Sequence, residues 1–185
     1  RAWLALERAE RKLRGNRYKV ARFVAEEITA QGEFQAGLAE IAEETTQRDW
    51  YVQARAKRLL QEIAATPTTL AIDLVAGLIH LLYRQGYRRI EYDRHQLLEV
   101  YSKAHKTSLV FLPSHKSQLD RLVMQYVLWE NDLPPSHTAG GININFWPVG
   151  PLVRRSGVFF IRRSFKDDAT YKFVLRSYLD YLLSR

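Results

Sequence analysis

His115 and Asp120 stand in the run Ser-Leu-Val-Phe-Leu-Pro-Ser-His-Lys-Ser-Gln-Leu-Asp, residues 108–120, and their residue types suit proton transfer. A carboxylate on one imidazole nitrogen fixes the tautomer and stabilises the imidazolium, leaving the other nitrogen to take a proton from a hydroxyl. Five helical residues turn through about 500°, so on one regular helix the two side chains would diverge by about 140°. They meet only if His115 sits in a turn and Asp120 in the first or second turn of the helix that follows. Pro113 and Ser114 favour such a turn. Ser117 reads first as the helix cap, ahead of a nucleophile. Alone, a pair of this spacing arises often by chance.

The flanking residues predict the elements that would hold the pair. Leu109 to Leu112 reads as a buried strand of a mostly parallel sheet, closed by Pro113. A strongly apolar helix follows from about Ser117 to Glu130, expected to be buried on most sides and so to anchor Asp120. A histidine at the carboxyl end of a strand lies where open α/β sheets place their ligand sites. His137 to Gly141 predicts a second strand. Gly157 to Ile161 predicts another, delivering Arg162 and Arg163 at its carboxyl end. Adjacent strand residues point to opposite faces, so only one of the two arginines need face the site. Arginine suits bidentate phosphate contact.

The segment around His115 resembles the first motif of the glycerolipid acyltransferases, an Asn/Ser/Cys-His-Arg-Ser-x-x-Asp-like block, with Lys116 where arginine is usual. Gly157-Val158-Phe159-Phe160-Ile161-Arg162-Arg163 is similar to the family's second motif, about 40 residues downstream. Between them, residues 139–151 (Ala-Gly-Gly-Ile-Asn-Ile-Asn-Phe-Trp-Pro-Val-Gly-Pro) resemble the linking segment of the bacterial membrane members that acylate glycerol 3-phosphate. The resemblance covers Leu109 to Arg185. The family's third motif, Phe-x-Glu-Gly-x-Arg-Ser-like, and a fourth, proline-containing motif do not occur in the sequence, which starts at Arg1 and not at a methionine. The expectation is an internal piece of a longer protein, inactive alone.

The resemblance implies an α/β fold, a mostly parallel sheet with flanking helices: a helical amino-terminal region over residues 1–92, then the first part of an acyltransferase domain over 93–185. It implies transfer of a fatty acyl group from acyl-CoA or acyl carrier protein to the sn-1 hydroxyl of glycerol 3-phosphate. His115 is then the general base and Asp120 its orienting partner. The implied substrate-binding set is Arg163 first and Arg162 second, with Lys116, Ser117, Phe160 and Gly157, the last two shaping strand and pocket. Alternatives are another acceptor, such as lysophosphatidate or dihydroxyacetone phosphate, or a noncatalytic membrane-surface module of the same fold. The implied location is peripheral, at the cytoplasmic face of the cell membrane.

Composition sets outer bounds. The chain of 185 residues can bury one good core. It has no cysteine, which removes disulfides, thiolate metal sites and a cysteine acyl-enzyme. Its net charge of +8 is concentrated early, with eight Lys and Arg against Glu7 and Glu10 in residues 1–22. Basic surface attracts phosphate as nucleic acid, anionic lipid or substrate. No nucleic-acid-binding motif is recognisable, and no nucleic-acid partner is expected. No histidine and carboxylate pattern has convincing metal spacing, so no metal is expected, and the resemblance implies no cofactor, acyl-CoA or acyl carrier protein being a co-substrate. No run of about 20 mostly apolar residues occurs that would span a bilayer. Phe146, Trp147 and Pro148, followed by Arg154 and Arg155, either suit a membrane interface or pack into a loop core.

The remaining periodicity predicts helix from Arg1 to about Gln31, broken near Gly15 and Asn16, over Glu33 to about Ala65 with a kink at Trp50 and Tyr51, and from Thr68 or Thr69 to about Gly86. Asp73, Gly77 and His80 form a small polar stripe in the last of these, expected as a buried, satisfied histidine or a helix contact ahead of a ligand site. Asp93 to His105 predicts a helix with Leu97, Leu98, Tyr101 and Ala104 inward. Asp167 and Asp168 open a final helix, favourable near its positive end.

Overall fold

The computed structural model describes residues 24–86, 90–104, 107–114 and 118–184. Most of the first predicted helix lies outside them. The described residues form two compact units, one built from residues 24–67 with 137–184 and the other from residues within 68–136.

The first unit is an α/β assembly. Its helices are α1 (Val24–Thr29), α2 (Gly32–Glu44) and α3 (Asp49–Ile63). The predicted kink at Trp50 and Tyr51 falls earlier: the chain breaks after α2, Thr46 takes a positive φ of 54°, and α3 restarts at Asp49. Strand β1 (Thr138–Gly141) pairs in parallel with β2 (Val158–Ile161), Thr138 opposite Val158 and Gly141 opposite Ile161. Parallel neighbours need a crossover of a dozen or more residues. Here a single 3-10 turn (Ile142–Ile144), the Asn-Phe-Trp-Pro tip and the short helix α7 (Val149–Arg155) supply it. Helix α8 (Ala169–Leu183) closes the unit.

Packing explains why these pieces cohere. Val52, Leu60 and Ile63 of α3 and Tyr171, Val174 and Tyr178 of α8 are buried in step with three- and four-residue spacing, together with Ile28 of α1 and Phe160 of β2. Burying one such large apolar side chain contributes roughly 1.5–3 kcal/mol. Phe34 stacks on Phe173 with ring centroids 5.4 Å apart. Gly37 makes room for that stack, since a Cβ there would lie 2.4 Å from the Phe173 ring. Asp168 caps α8 by accepting from the Tyr171 amide at 2.9 Å, and the Tyr178 hydroxyl accepts from the Ala65 amide at 3.1 Å, just past the end of α3.

The second unit is helical. Helix α4 (Thr69–Gly86) packs on α6 (Gln118–Glu130), and α5 (Arg94–Lys103) lies between them in sequence. The Thr68 hydroxyl reaches the Ala71 amide at 3.4 Å, as expected of a helix cap. The polar stripe serves the helix contact: His80 Nδ1 lies 3.0 Å from the Tyr126 hydroxyl, and Trp129 Nε1 donates to Asp73 at 3.3 Å.

Three expectations are corrected here. Leu109 to Leu112 is not a buried strand: Val110 and Leu112 are 66% and 88% exposed, and the segment joins no sheet. A four-residue apolar run carries no periodicity that would separate strand from loop. Helix α5 buries no residue, and Leu98 and Ala104 are exposed. Among the described side chains of helix α6 only Tyr126, Val127 and Leu128 are buried, with Leu122, Val123 and Met124 half-buried. No helix among the described residues is long and apolar enough to cross a membrane.

Candidate active site

His115, Lys116 and Ser117 lie outside the described residues. Asp120 lies within them, half-buried in the first turn of α6, where a carboxylate is favoured by the helix dipole. The far end of α6 is fixed by a polar cluster. Asn131 Nδ2 donates to the Val127 carbonyl at 2.8 Å and to the Tyr92 hydroxyl at 2.7 Å, while Arg94 Nε donates to Asn131 Oδ1 at 2.8 Å. Gln125 Nε2 donates to the Ser136 carbonyl at 2.7 Å. Asp120 therefore rides on a helix whose carboxyl-terminal half is held by side-chain bonds as well as by apolar packing. Arg121, the next residue, is half-buried, and burial pushes its guanidinium below the usual arginine range.

The second cluster sits at the carboxyl end of β2. Gly157 precedes the strand with φ of 100°, a left-handed conformation that a side chain would strain. Its carbonyl accepts from the Thr138 amide at 3.0 Å, which starts the parallel ladder. Phe160 is fully buried, and the Arg154 guanidinium lies 4.6 Å above its ring. That burial gives Phe160 a structural place in the strand.

The two arginines that follow differ sharply. Arg162 donates from Nε and Nη2 to the two carboxylate oxygens of Glu62, at 2.6 and 2.7 Å. Its Nη1 lies 3.6 Å from Asp168 Oδ2, and its ring-facing carbon 4.9 Å from the Tyr171 centroid. Its amide donates to the Tyr171 hydroxyl at 2.9 Å. The hydrogen bond to Glu62 holds its guanidinium above the usual arginine range, against the opposing effect of burial. Asp168 also accepts from Arg55 Nη2 at 2.8 Å, so α3, β2 and the start of α8 meet in one ion-pair network. Arg163 is exposed, and among the described residues no carboxylate or carbonyl engages its guanidinium. Adjacent residues leave a strand on opposite sides, and here one arginine is held by the protein and the next faces solvent.

Arg154, which follows the Phe146-Trp147-Pro148 tip, is engaged by the protein. It donates to the carbonyls of Gln61, Glu62 and Ala64 at 3.0, 2.8 and 2.6 Å, closing the carboxyl end of α3. A cation there suits the negative end of the helix. Burial pushes its guanidinium down, while Tyr178 and Glu62 pull it up. Arg155 remains exposed. The tip itself does not pack into a loop core: Phe146 and Trp147 are 56% and 84% exposed.

Glu62, Arg55 and the bridging role of Asp168 escaped sequence reading. Asp168 carried a signal as a helix opener, and it is the cap of α8. Glu62 carried none, because its partner lies 100 positions away.

Residues 90–183 match the family model described as Acyltransferase. The glycerol-3-phosphate acyltransferase of Shewanella woodyi is 36% identical over 146 residues, covering 77% of this chain and 18% of that protein. The chain thus spans less than a fifth of that relative's length.

Proposed function

Because this chain belongs to the acyltransferase family, we propose that the protein transfers a fatty acyl group from a thioester donor, acyl-CoA or acyl carrier protein, to the sn-1 hydroxyl of glycerol 3-phosphate. The observation that carries the acceptor's phosphate is Arg163, exposed at the end of β2 with no protein partner among the described residues, beside an Arg162 already matched by Glu62. The name of the similar Shewanella woodyi protein supports the same acceptor.

In this reading His115 removes the proton from the acceptor hydroxyl while Asp120 orients the imidazole. The oxygen attacks the thioester carbonyl carbon, forming the ester C–O bond as the C–S bond breaks. The imidazolium returns its proton to the leaving thiolate, giving lysophosphatidate and free thiol. An imidazole with an unperturbed pKa of about 6.5 suits this shuttle near neutral pH, and general-base catalysis contributes about 10²–10⁴-fold. Arg163 holds the phosphate and Lys116 adds positive charge beside the base. No covalent acyl-enzyme and no cofactor enters the scheme.

The acceptor is tested by offering the full-length protein palmitoyl-CoA with glycerol 3-phosphate, dihydroxyacetone phosphate or lysophosphatidate, and identifying the product by mass spectrometry. Lysophosphatidate formed from glycerol 3-phosphate supports the proposal. Turnover confined to either other acceptor replaces it.

A peripheral membrane location accompanies this reading. Its support is the exposed Phe146 and Trp147 tip with exposed Arg155 close by in sequence, aromatic rings for the headgroup layer and a cation for lipid phosphate.

A further inference from the structure

We infer that Glu62 is a positioning residue for Arg163, acting through Arg162, and that its service is to the acceptor's phosphate. The inference rests on the phosphate reading of Arg163 above. Glu62 lies in the last turn of α3, far in sequence from either recognisable motif. Its carboxylate grips the planar fork of Arg162 at two points, a geometry that fixes direction as well as distance. The backbone of Arg162 is fixed too, through its amide on the Tyr171 hydroxyl. Asp168 links this pair to Arg55 and to the cap of α8.

Both the side chain and the backbone of the residue preceding Arg163 are therefore tied down. A flexible arginine binds phosphate at a cost in rotamer freedom, and a fixed root reduces the volume its guanidinium must search. Glu62 has a second effect. By neutralising Arg162 it leaves one uncommitted guanidinium at the strand end, so a phosphate dianion meets Arg163 rather than dividing between two neighbours. Helix α3 is itself braced at this point, since Arg154 holds the Glu62 carbonyl at 2.8 Å. The carboxylate thus projects from a backbone that cannot drift.

The test is a double-mutant cycle in the full-length protein: wild type, Glu62→Gln, Arg163→Ala and the pair, with kcat, KM for glycerol 3-phosphate, KM for palmitoyl-CoA and thermal unfolding measured for each. Glu62→Gln is expected to raise the acceptor KM about tenfold, in line with the cost of small misplacements, with kcat and donor KM unchanged, as for lost uniform binding. In the Arg163→Ala background it adds nothing further. Should Glu62→Gln fail to fold, the same cycle is run with Glu62→Asp, which keeps the charge on a shorter stem. If Arg163→Ala raises the acceptor KM while the Glu62 change leaves it alone, or if the two losses multiply, the positioning inference is overturned and the phosphate reading stands. If Arg163→Ala leaves the acceptor KM unchanged, the phosphate reading falls and takes this inference with it.

Discussion

Glu62 and Arg162, 100 positions apart in the chain, face each other fork to fork at 2.6 and 2.7 Å. The pair joins a helix that carries no recognisable motif to the strand that carries one. About a third of each side chain stays exposed, 35% for Arg162 and 29% for Glu62. Solvent-exposed ion pairs contribute about 0–1 kcal/mol, so the pair's main effect is on direction. It fixes which of two consecutive arginines is held by the fold, while the next stays exposed.

Tyr178 predicts how the fold responds to alkali. Burial raises its phenol from 10.0 to about 12, against the lowering effects of the Ala65 amide and Arg154. A group whose folded pKa lies above its unfolded value stabilises the fold fully below the unfolded value and loses that contribution as pH rises. The loss runs from pH about 10 to about 12, where the unfolded chain ionises and the folded one resists. Urea unfolding midpoints across that window should fall in the wild type and fall less in Tyr178→Phe. At pH 7 the same variant should lose about 1 kcal/mol with the hydrogen bond to Ala65. Equal alkaline slopes in both proteins would remove Tyr178 as the cause.

The exposed tip predicts lipid contact. Full-length protein should float with liposomes containing anionic phospholipid, and Phe146→Ala with Trp147→Ala should markedly reduce the floated fraction without changing the thermal midpoint. The second half follows from exposures of 56% and 84%, which leave little packing to lose. Unchanged flotation would place membrane contact elsewhere.

Elements with a strong local signal were legible in the sequence. The helix over Thr69 to Gly86, the strands near His137 to Gly141 and Gly157 to Ile161, and the final helix opened by Asp168 all stand within a residue or so of their expected bounds. Each is specified by its own period, cap or breaker. Burial was less legible. Leu112 and Leu98 are apolar yet exposed, because burial is decided by what packs opposite. The partners of Arg154 and Arg162 were illegible for the same reason. Local sequence shows a cation near a strand or a helix, and only the fold supplies the carbonyls of Gln61, Glu62 and Ala64 or the Glu62 carboxylate that meet it. Strand alternation left open which of the two arginines faces the site, and the resemblance alone puts Arg163 first; the fold adds that Arg162 is held by Glu62 while Arg163 is exposed.

The most direct test of the central claim is thiol release from palmitoyl-CoA by the full-length protein, with and without glycerol 3-phosphate, in wild type and His115→Ala. The account predicts acceptor-dependent release in the wild type, lowered by about 10²-fold or more in the variant, with the acceptor KM little changed. Acceptor-dependent release that persists at the wild-type rate in His115→Ala would contradict the general-base assignment.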